Sequence, residues 1–366
     1  MKQHKKHGDI VKPVGGKFHR NEISFIGAPC GIIQELSKKI AEQLEPNLKV
    51  GYVDAAHGSD ETFEVFSTSY TDMINHHQLK FKAEDSENKL RGLLNSNDLV
   101  LVNGNHFKAE KQVVIINKKK EESLSRKLDK LTNVIAVIFD EGQTQAFAFL
   151  KEKVKGIPAF SIQEIEKIAS LLKSEVETRT PILKGLVLAG GQSLRMGHDK
   201  GAIDYHGKPQ REYMADLLSE FCEEVFLSVR PNQQLESNYP VLKDTFLGMG
   251  PYGGILSAFK KDPNAAWFVV ATDIPFVNKT ALQKLFDQRN LSKVATCFHN
   301  EESGFPEPLI SIWEPRAYPT LLRFLGDGYN CPRKVLINSD VEEIEVPNKK
   351  VFTNVNTPED LENLSV

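Results

Sequence analysis

Cysteine is scarce in this 366-residue chain: Cys30, Cys222, Cys297 and Cys331 are scattered, with no C-x-x-C pair. That spacing argues against a disulfide framework or a zinc site and fits reduced thiols in a cytoplasmic protein. An excess of one charge is also missing, since 46 Lys and Arg stand against 49 Asp and Glu for a formal net charge of −3. Such a balance exerts no general pull on nucleic acid or an anionic membrane, so anion binding has to be local. No apolar run approaches the roughly 20 residues of a membrane span, and the basic start Met1-Lys2-Gln3-His4-Lys5-Lys6-His7 lacks the apolar stretch a secretory signal needs. Neither a G-x-S-x-G elbow nor a Cys/His spacing suited to nucleophilic catalysis is present, and no internal repeat is visible. The adjacent His76 and His77 would diverge on a regular helix, which argues against a shared metal.

What is present is enough apolar material, 40% of residues, for two cores. The polar segment Ser174–Pro181 suggests a boundary, giving domains 1–178 and 183–366. In the first, Glu22–Ile26, Lys49–Val53, Leu99–Val102 and Val134–Phe139 read as strands and Ile32–Leu44 as an amphipathic helix. The charged run Asn117–Glu122 reads as a solvated loop entering a surface helix, with a nucleic-acid contact as the alternative. In the second, strands fall around Leu186, at Val225–Val229, at Trp267–Ala271 and at Val294–Cys297, with a helix over Glu212–Phe221. The expected class is α/β, two domains, each a mostly parallel sheet with helices on both faces. In such sheets ligands gather beyond the carboxyl ends of the strands.

One stretch carries unusual chemistry. Gly185–Leu188 is an apolar strand that breaks into Ala189-Gly190-Gly191 and then delivers Arg195 and Lys200. Glycines allow backbone N–H groups close to phosphate oxygens, Arg suits forked contacts, and Lys is a mobile point charge. A plain tight turn is the alternative for the glycine pair alone. Asp273 follows the apolar run Trp267–Ala271, so its carboxylate would end a buried strand, where it either holds Mg2+ or caps the turn into Ile274-Pro275.

Five blocks together resemble the molybdenum cofactor guanylyltransferases, within the Rossmann-like nucleotidyltransferases. They are Leu188–Lys200, Lys243-Asp244-Thr245 running to Gly250–Gly254, Thr272–Phe276, Phe305–Leu309 and Phe352–Asp360. The resemblance implies GMP transfer from GTP to the phosphate of molybdopterin in the molybdenum cofactor, with Mg2+ as cofactor and pyrophosphate as second product. It assigns Leu188, Ala189, Gly190, Gly191, Lys200, Ser228, Asp244, Gly250, Gly254 and Asp273 to nucleotide, Arg195, Lys200 and Asp273 to catalysis, and Asp273 to the metal. Asp244 could accept from a guanine edge or cap a turn, and Tyr252 is expected to reshape the pocket. Asn354 and Asn356 would share one side of an extended segment, with Val355 packed inward; they and the cations Arg333 and Lys334 are acceptor candidates, against a local turn network and a surface turn.

The first half resembles the P-loop adaptor that accompanies the guanylyltransferase. Strand Ile23–Ile26 runs into Gly27-Ala28-Pro29-Cys30-Gly31-Ile32, and Asp98–Gly104 and Ala136–Asp140 match its later strands. Ile33 stands where the phosphate lysine belongs and Gln34 where the metal hydroxyl belongs, so the loop is degenerate and hydrolysis is not expected. The implied partners are GTP and molybdopterin or molybdenum cofactor, with other cofactor-biosynthesis proteins and apo-molybdoenzymes as candidates, and no nucleic acid or membrane. Cytidylyl transfer to the same cofactor, sugar-phosphate activation and a non-catalytic delivery scaffold are the competing functions.

Overall fold

The computed structural model describes residues 10–45, 47–55, 68–73, 75–81, 86–191 and 199–355. Val14–Thr180 form one compact unit; the chain from Pro181, together with the stretch to Pro13, forms the other.

The first unit contains strands β1 (Glu22–Ile26), β2 (Val50–Val53), β3 (Thr68–Asp72), β4 (His77–Phe81), β5 (Leu99–Asn103), β6 (Lys111–Ile116), β7 (Val134–Phe139) and β8 (Ala159–Ser161). Its helices are α1 (Cys30–Leu44), α2 (Ser86–Leu94), α3 (Glu121–Ser125) and α4 (Ile165–Glu177). Among the described residues, one sheet has the order β2-β5-β1-β6-β7-β8 with every pairing parallel. β1 and β5 are buried at every position, as strands covered on both faces must be. Alternate residues of β6 serve opposite cores: Val113 and Ile115 pack with α1 and α4, Val114 and Ile116 with Leu124 of α3.

Three local features go beyond the sequence reading. Within the boundary segment Ser174–Pro181, Ser174–Glu177 form the last turn of α4, because Val176 extends the apolar stripe of Ile168 and Leu172 against the core. β6 was not anticipated. His76 and His77 lie at the β3–β4 hairpin rather than on a helix, where His77 Nδ1 contacts Asp72 at 3.0 Å.

The second unit contains β9 (Leu183–Leu188), β10 (Val225–Val229), β11 (Val241–Lys243), β12 (Ala266–Ala271), β13 (Ala295–Asn300), β14 (Phe305–Trp313) and β15 (Glu342–Glu345). Its helices are α5 (Gln210–Ser219), α6 (Pro251–Lys261), α7 (Lys279–Asp287), α8 (Ala317–Gly326) and α9 (Pro332–Ile337). The sheet order among the described residues is β11-β10-β9-β12-β14-β13-β15. It is parallel except that β14 runs antiparallel to both β12 and β13. β12 alternates sharply: Ala266, Phe268 and Val270 pack with α5 and α7, while Trp267 and Val269 pack with α6 and α8. This is an α/β fold with helices on both faces.

Register places the strand ends side by side. Ser228 pairs with Leu188, Val229 with Lys243, and Ala271 with Leu188, so the segments after β9, β10, β11 and β12 leave from one rim. Val270 pairs with Ile310 of the reversed β14, which brings Glu307 and Leu309 to that same rim from the opposite chain direction.

Candidate functional site

A cleft of about 950 Å³ opens on this rim, lined by Leu188, Ala189, Gly190, Gly191, Lys200, Ser228, Asp244, Gly250 and Asp273 among others. Residues as far apart in sequence as Leu188 and Leu309 thus meet on one rim. Arg195 and Asn356 lie outside the described residues.

The two glycines of the loop do different things. A Cβ on Gly190 would sit 3.1 Å from Arg230 N and 3.3 Å from Val229 C, so this glycine serves the close approach of the β9 and β10 ends. Gly191 has open space around it and is the one that leaves room for a ligand. Ala189 is anchored by its own N–H on Ser228 O at 2.9 Å and by Gln233 Nε2 on its carbonyl at 3.4 Å. Lys200 begins a short 3-10 turn whose cap is Asp199: Oδ1 accepts from Gly201 N at 3.0 Å and Oδ2 from Arg211 at 2.9 Å.

Ser228 Oγ donates to Asp244 Oδ1 at 2.7 Å. Burial pushes the Asp244 carboxyl above the ordinary range, and the Ser228 hydrogen bond opposes that without cancelling it. Gly254 does not line the cleft. It lies in α6 beneath this pair, where a Cβ would come within 2.8 Å of both Ser228 Oγ and Leu188 Cδ2. Gly250 caps α6 at φ 56° with Pro251 at the first helical position. Tyr252 does not reshape the pocket: it is wholly buried, and its hydroxyl donates to Leu321 O at 2.7 Å.

Asp273 holds the sharpest electrostatic feature. Its Oδ1 is buried and has no hydrogen-bond partner. Burial raises its carboxyl above the usual range, with Lys200 pulling the other way. Its backbone carbonyl accepts from Val355 N at 2.9 Å, which ties the segment carrying Asn354 to this site; Val355 is buried and Asn354 exposed.

A second carboxylate, given no role from sequence, lies near Asp273 without lining the cleft. Glu307 is 8% exposed; burial raises its carboxyl, as does Asp273, while Leu309 N–H and Arg333 act against that. Oε2 accepts from Arg333 at 3.1 Å and Oε1 from Leu309 N at 3.2 Å. The β14 register breaks here: Cys297 pairs with Ser311 but Phe298 with Glu307, a bulge that re-aims Glu307 toward Asp273. Prolines 306 and 308 around a Glu were the signal available. Arg333 is therefore engaged by a carboxylate, and the Lys334 ammonium lies 5.0 Å over the Tyr329 ring. Neither Arg333 nor Lys334 lines the cleft.

Among the described residues no group of three or more His, Cys, Asp or Glu could hold a metal, and no helix is long and apolar enough to cross a membrane. The candidate metal ligand is Asp273 alone, a pattern suited to Mg2+, which keeps several waters and phosphate oxygens as ligands.

Residues 185–343 match the family model described as the MobA-like NTP transferase domain. The chain is 42% identical over 187 residues to a molybdenum cofactor biosynthesis bifunctional protein of Synechocystis, covering 50% of this chain and 53% of that protein, so it spans about half of that relative's length. It is 31% identical over 208 residues to a probable molybdenum cofactor guanylyltransferase of Methanosarcina mazei, covering 51% of this chain and 92% of that one. A solved structure of molybdopterin-guanine dinucleotide biosynthesis protein A from Archaeoglobus fulgidus covers 49% of this chain and 95% of its own, at 26% identity and a TM-score of 0.43.

Proposed function

This chain belongs to the molybdenum cofactor guanylyltransferase family, and on that premise we propose that it transfers GMP from GTP to the phosphate of molybdopterin in the molybdenum cofactor. An oxygen of the acceptor phosphate attacks the α-phosphorus, the α–β bridging bond breaks, and pyrophosphate leaves. No protein nucleophile is needed; alignment and charge stabilisation supply the rate.

The observation that carries this reading is the single rim on which an open glycine turn, Lys200, the Ser228–Asp244 pair and the unpartnered Asp273 oxygen line one cleft. Gly191 leaves space for the triphosphate, and Lys200 neutralises charge moving onto the leaving group, with Arg195 as its companion. Asp244, fixed by Ser228, presents an acceptor to the N1–H and 2-amino donors of guanine. The buried Oδ1 of Asp273 fits a hard cation, and Mg2+ held there would offset the charge of the departing pyrophosphate. Asn354, beside the Val355 that hydrogen-bonds to Asp273, orients the acceptor together with Asn356, and Arg333, held by Glu307 and not part of the cleft lining, is a further acceptor candidate.

The test is incubation of the purified chain with each nucleoside triphosphate, Mg2+ and molybdenum cofactor, following pyrophosphate and dinucleotide. GTP alone should yield both. Product with CTP instead would make the chain a cytidylyltransferase, and no product with any nucleotide would point to a delivery scaffold.

Residues 14–180 act, in this reading, as a non-hydrolysing adaptor. Ile33, in the lysine position, is wholly buried in the core, and the turn from β1 to α1 is only Gly27-Ala28-Pro29. Gly27 takes φ 103°, and any Cβ there would meet Ile115 O at 2.4 Å. Inorganic phosphate release from GTP by the full chain, as opposed to pyrophosphate, would contradict this.

A further inference from the structure

A second group of reactive side chains gathers in the N-terminal unit, where β1, β2 and β5 end. The parallel registers Phe25 with Asn103 and Val53 with Val102 bring the following segments together. Cys30, half-buried, opens the 15-residue α1, and its Sγ lies 3.3 Å from His106 Nε2. Asn105 Nδ2, which donates to Ala28 O at 2.8 Å, also lies 3.7 Å from the sulfur.

The same imidazole nitrogen also faces a carboxylate. His106 Nε2 is 3.8 Å from Asp54 Oδ1, and Asp54 accepts from Tyr52 Oη at 2.7 Å and from Ala55 N at 2.7 Å. Burial pushes the Asp54 carboxyl up, but Tyr52, Asn103, the Ala55 N–H and His106 outweigh it and hold the group below the ordinary range. Asn103, wholly buried against Tyr52 and Asp54, keeps its Nδ2 without a well-formed hydrogen bond. Two cations flank the same turn: Lys127 Nζ donates to Asn105 O at 3.0 Å and Lys130 Nζ to Gly104 O at 3.1 Å. A thiol within reach of a base, with the base facing a fixed carboxylate, is the arrangement of an activated nucleophile.

We propose that Cys30 is a nucleophilic thiol that exchanges with small anionic organic disulfides, with His106 as its base. Sγ attacks one sulfur of the disulfide as the thiol proton passes to His106 Nε2, and the imidazolium so formed faces Asp54. The S–S bond breaks, its electron pair leaves with the second sulfur, and that thiolate takes the proton from His106. The products are a mixed disulfide at Cys30 and one small thiol, with no net change in redox equivalents. Lys127 and Lys130 favour a disulfide that carries carboxylates. The remaining cysteines supply the contrast: burial pushes the Cys222 thiol up to about 12 and raises Cys297 as well, whereas Cys331 is half-buried.

The experiment exposes the full chain to oxidised glutathione at neutral pH and follows each cysteine by peptide mass spectrometry. Cys30 should form its adduct at least ten times faster than Cys331, and Cys222 and Cys297 should stay unmodified while the protein is folded. His106→Gln, with an unchanged melting profile, should bring the Cys30 rate down to that of Cys331. Equal rates at Cys30 and Cys331 in the unaltered protein would overturn the proposal without reference to any variant, as would an undiminished Cys30 rate in a folded His106→Gln protein.

Discussion

Asp273→Asn should make the metal-free protein more stable while removing its activity. The sign follows from the site: burial raises the Asp273 carboxyl, so the fold favours the uncharged form over the ionised one. Asparagine reproduces that uncharged shape at neutral pH. Leaving a buried polar group unsatisfied costs about 1–3 kcal/mol, and more when it is charged, and the lower end applies to the difference here because Lys200 attracts the carboxylate and the new amide is still polar. About 1 kcal/mol in a unit of this size corresponds to a Tm rise of about 2–4 °C. Mg2+ should act on only one of the two proteins: at a hundredfold excess over Kd it stabilises the unaltered chain by about 2.7 kcal/mol, or about 5–10 °C, and leaves the variant where it was. Stability of the unaltered, metal-free chain should also fall as pH rises from the ordinary carboxylate range through the raised Asp273 value, since across that interval the folded state binds more protons than the unfolded one. The variant should lose this slope. Differential scanning calorimetry with and without Mg2+, at pH 5 and 7.5, reads all of this. A destabilised metal-free variant, or an equal Mg2+ response in both proteins, would refute the argument.

Other substitutions test separate parts of the cleft. Lys200→Ala should cut turnover by at least a hundredfold, about 2.7 kcal/mol of barrier, with an unchanged circular dichroism spectrum; full turnover would remove Lys200 from the mechanism. Asp244→Asn replaces one acceptor oxygen with a donor, so kcat/KM for GTP should drop about 10- to 100-fold, the range for charge-assisted hydrogen bonds, while ITP, which lacks the 2-amino group, loses less. An equal loss with both nucleotides would count against a base contact. Glu307→Gln weakens the hold on Arg333 and should raise KM for the molybdopterin acceptor about tenfold, a 1.4 kcal/mol effect, with KM for GTP unchanged; steady-state kinetics with each substrate varied distinguishes this from a general collapse of the site.

Much of the cleft rim was legible because its residues sit at or just after strand ends. Leu188 to Gly191 and Asp273 end or follow runs whose pattern marks a buried strand, Asp244 follows the short edge strand β11, and in a parallel sheet such positions share one edge. The same logic missed β14. Prolines 306 and 308 argue against a strand, yet Pro306 still pairs with His299 and Pro308 falls in the bulge opposite Cys297 and Phe298, which leaves Glu307 near Asp273. Tyr252 was misplaced for a related reason: neighbouring glycines suggested a loop near ligand, whereas helix α6 rotates the ring into the core beneath Leu321.

Periodicity and strand-end chemistry in the sequence alone determined the α/β class, the glycine turn with Lys200 and the carboxylate at the end of β12. Those depend on neighbours within a few residues, where local sterics and alternation decide the outcome. Only the tertiary structure decided that Gly190 serves the packing of β9 against β10 while Gly191 stays open, that Glu307 and Arg333 pair behind Asp273, and that Cys30 meets His106 across 76 positions. Such pairings depend on how distant strands, and the helices and loops that follow them, come together, which no local pattern encodes; within β14 a register shift of one residue would send Glu307 to the other face.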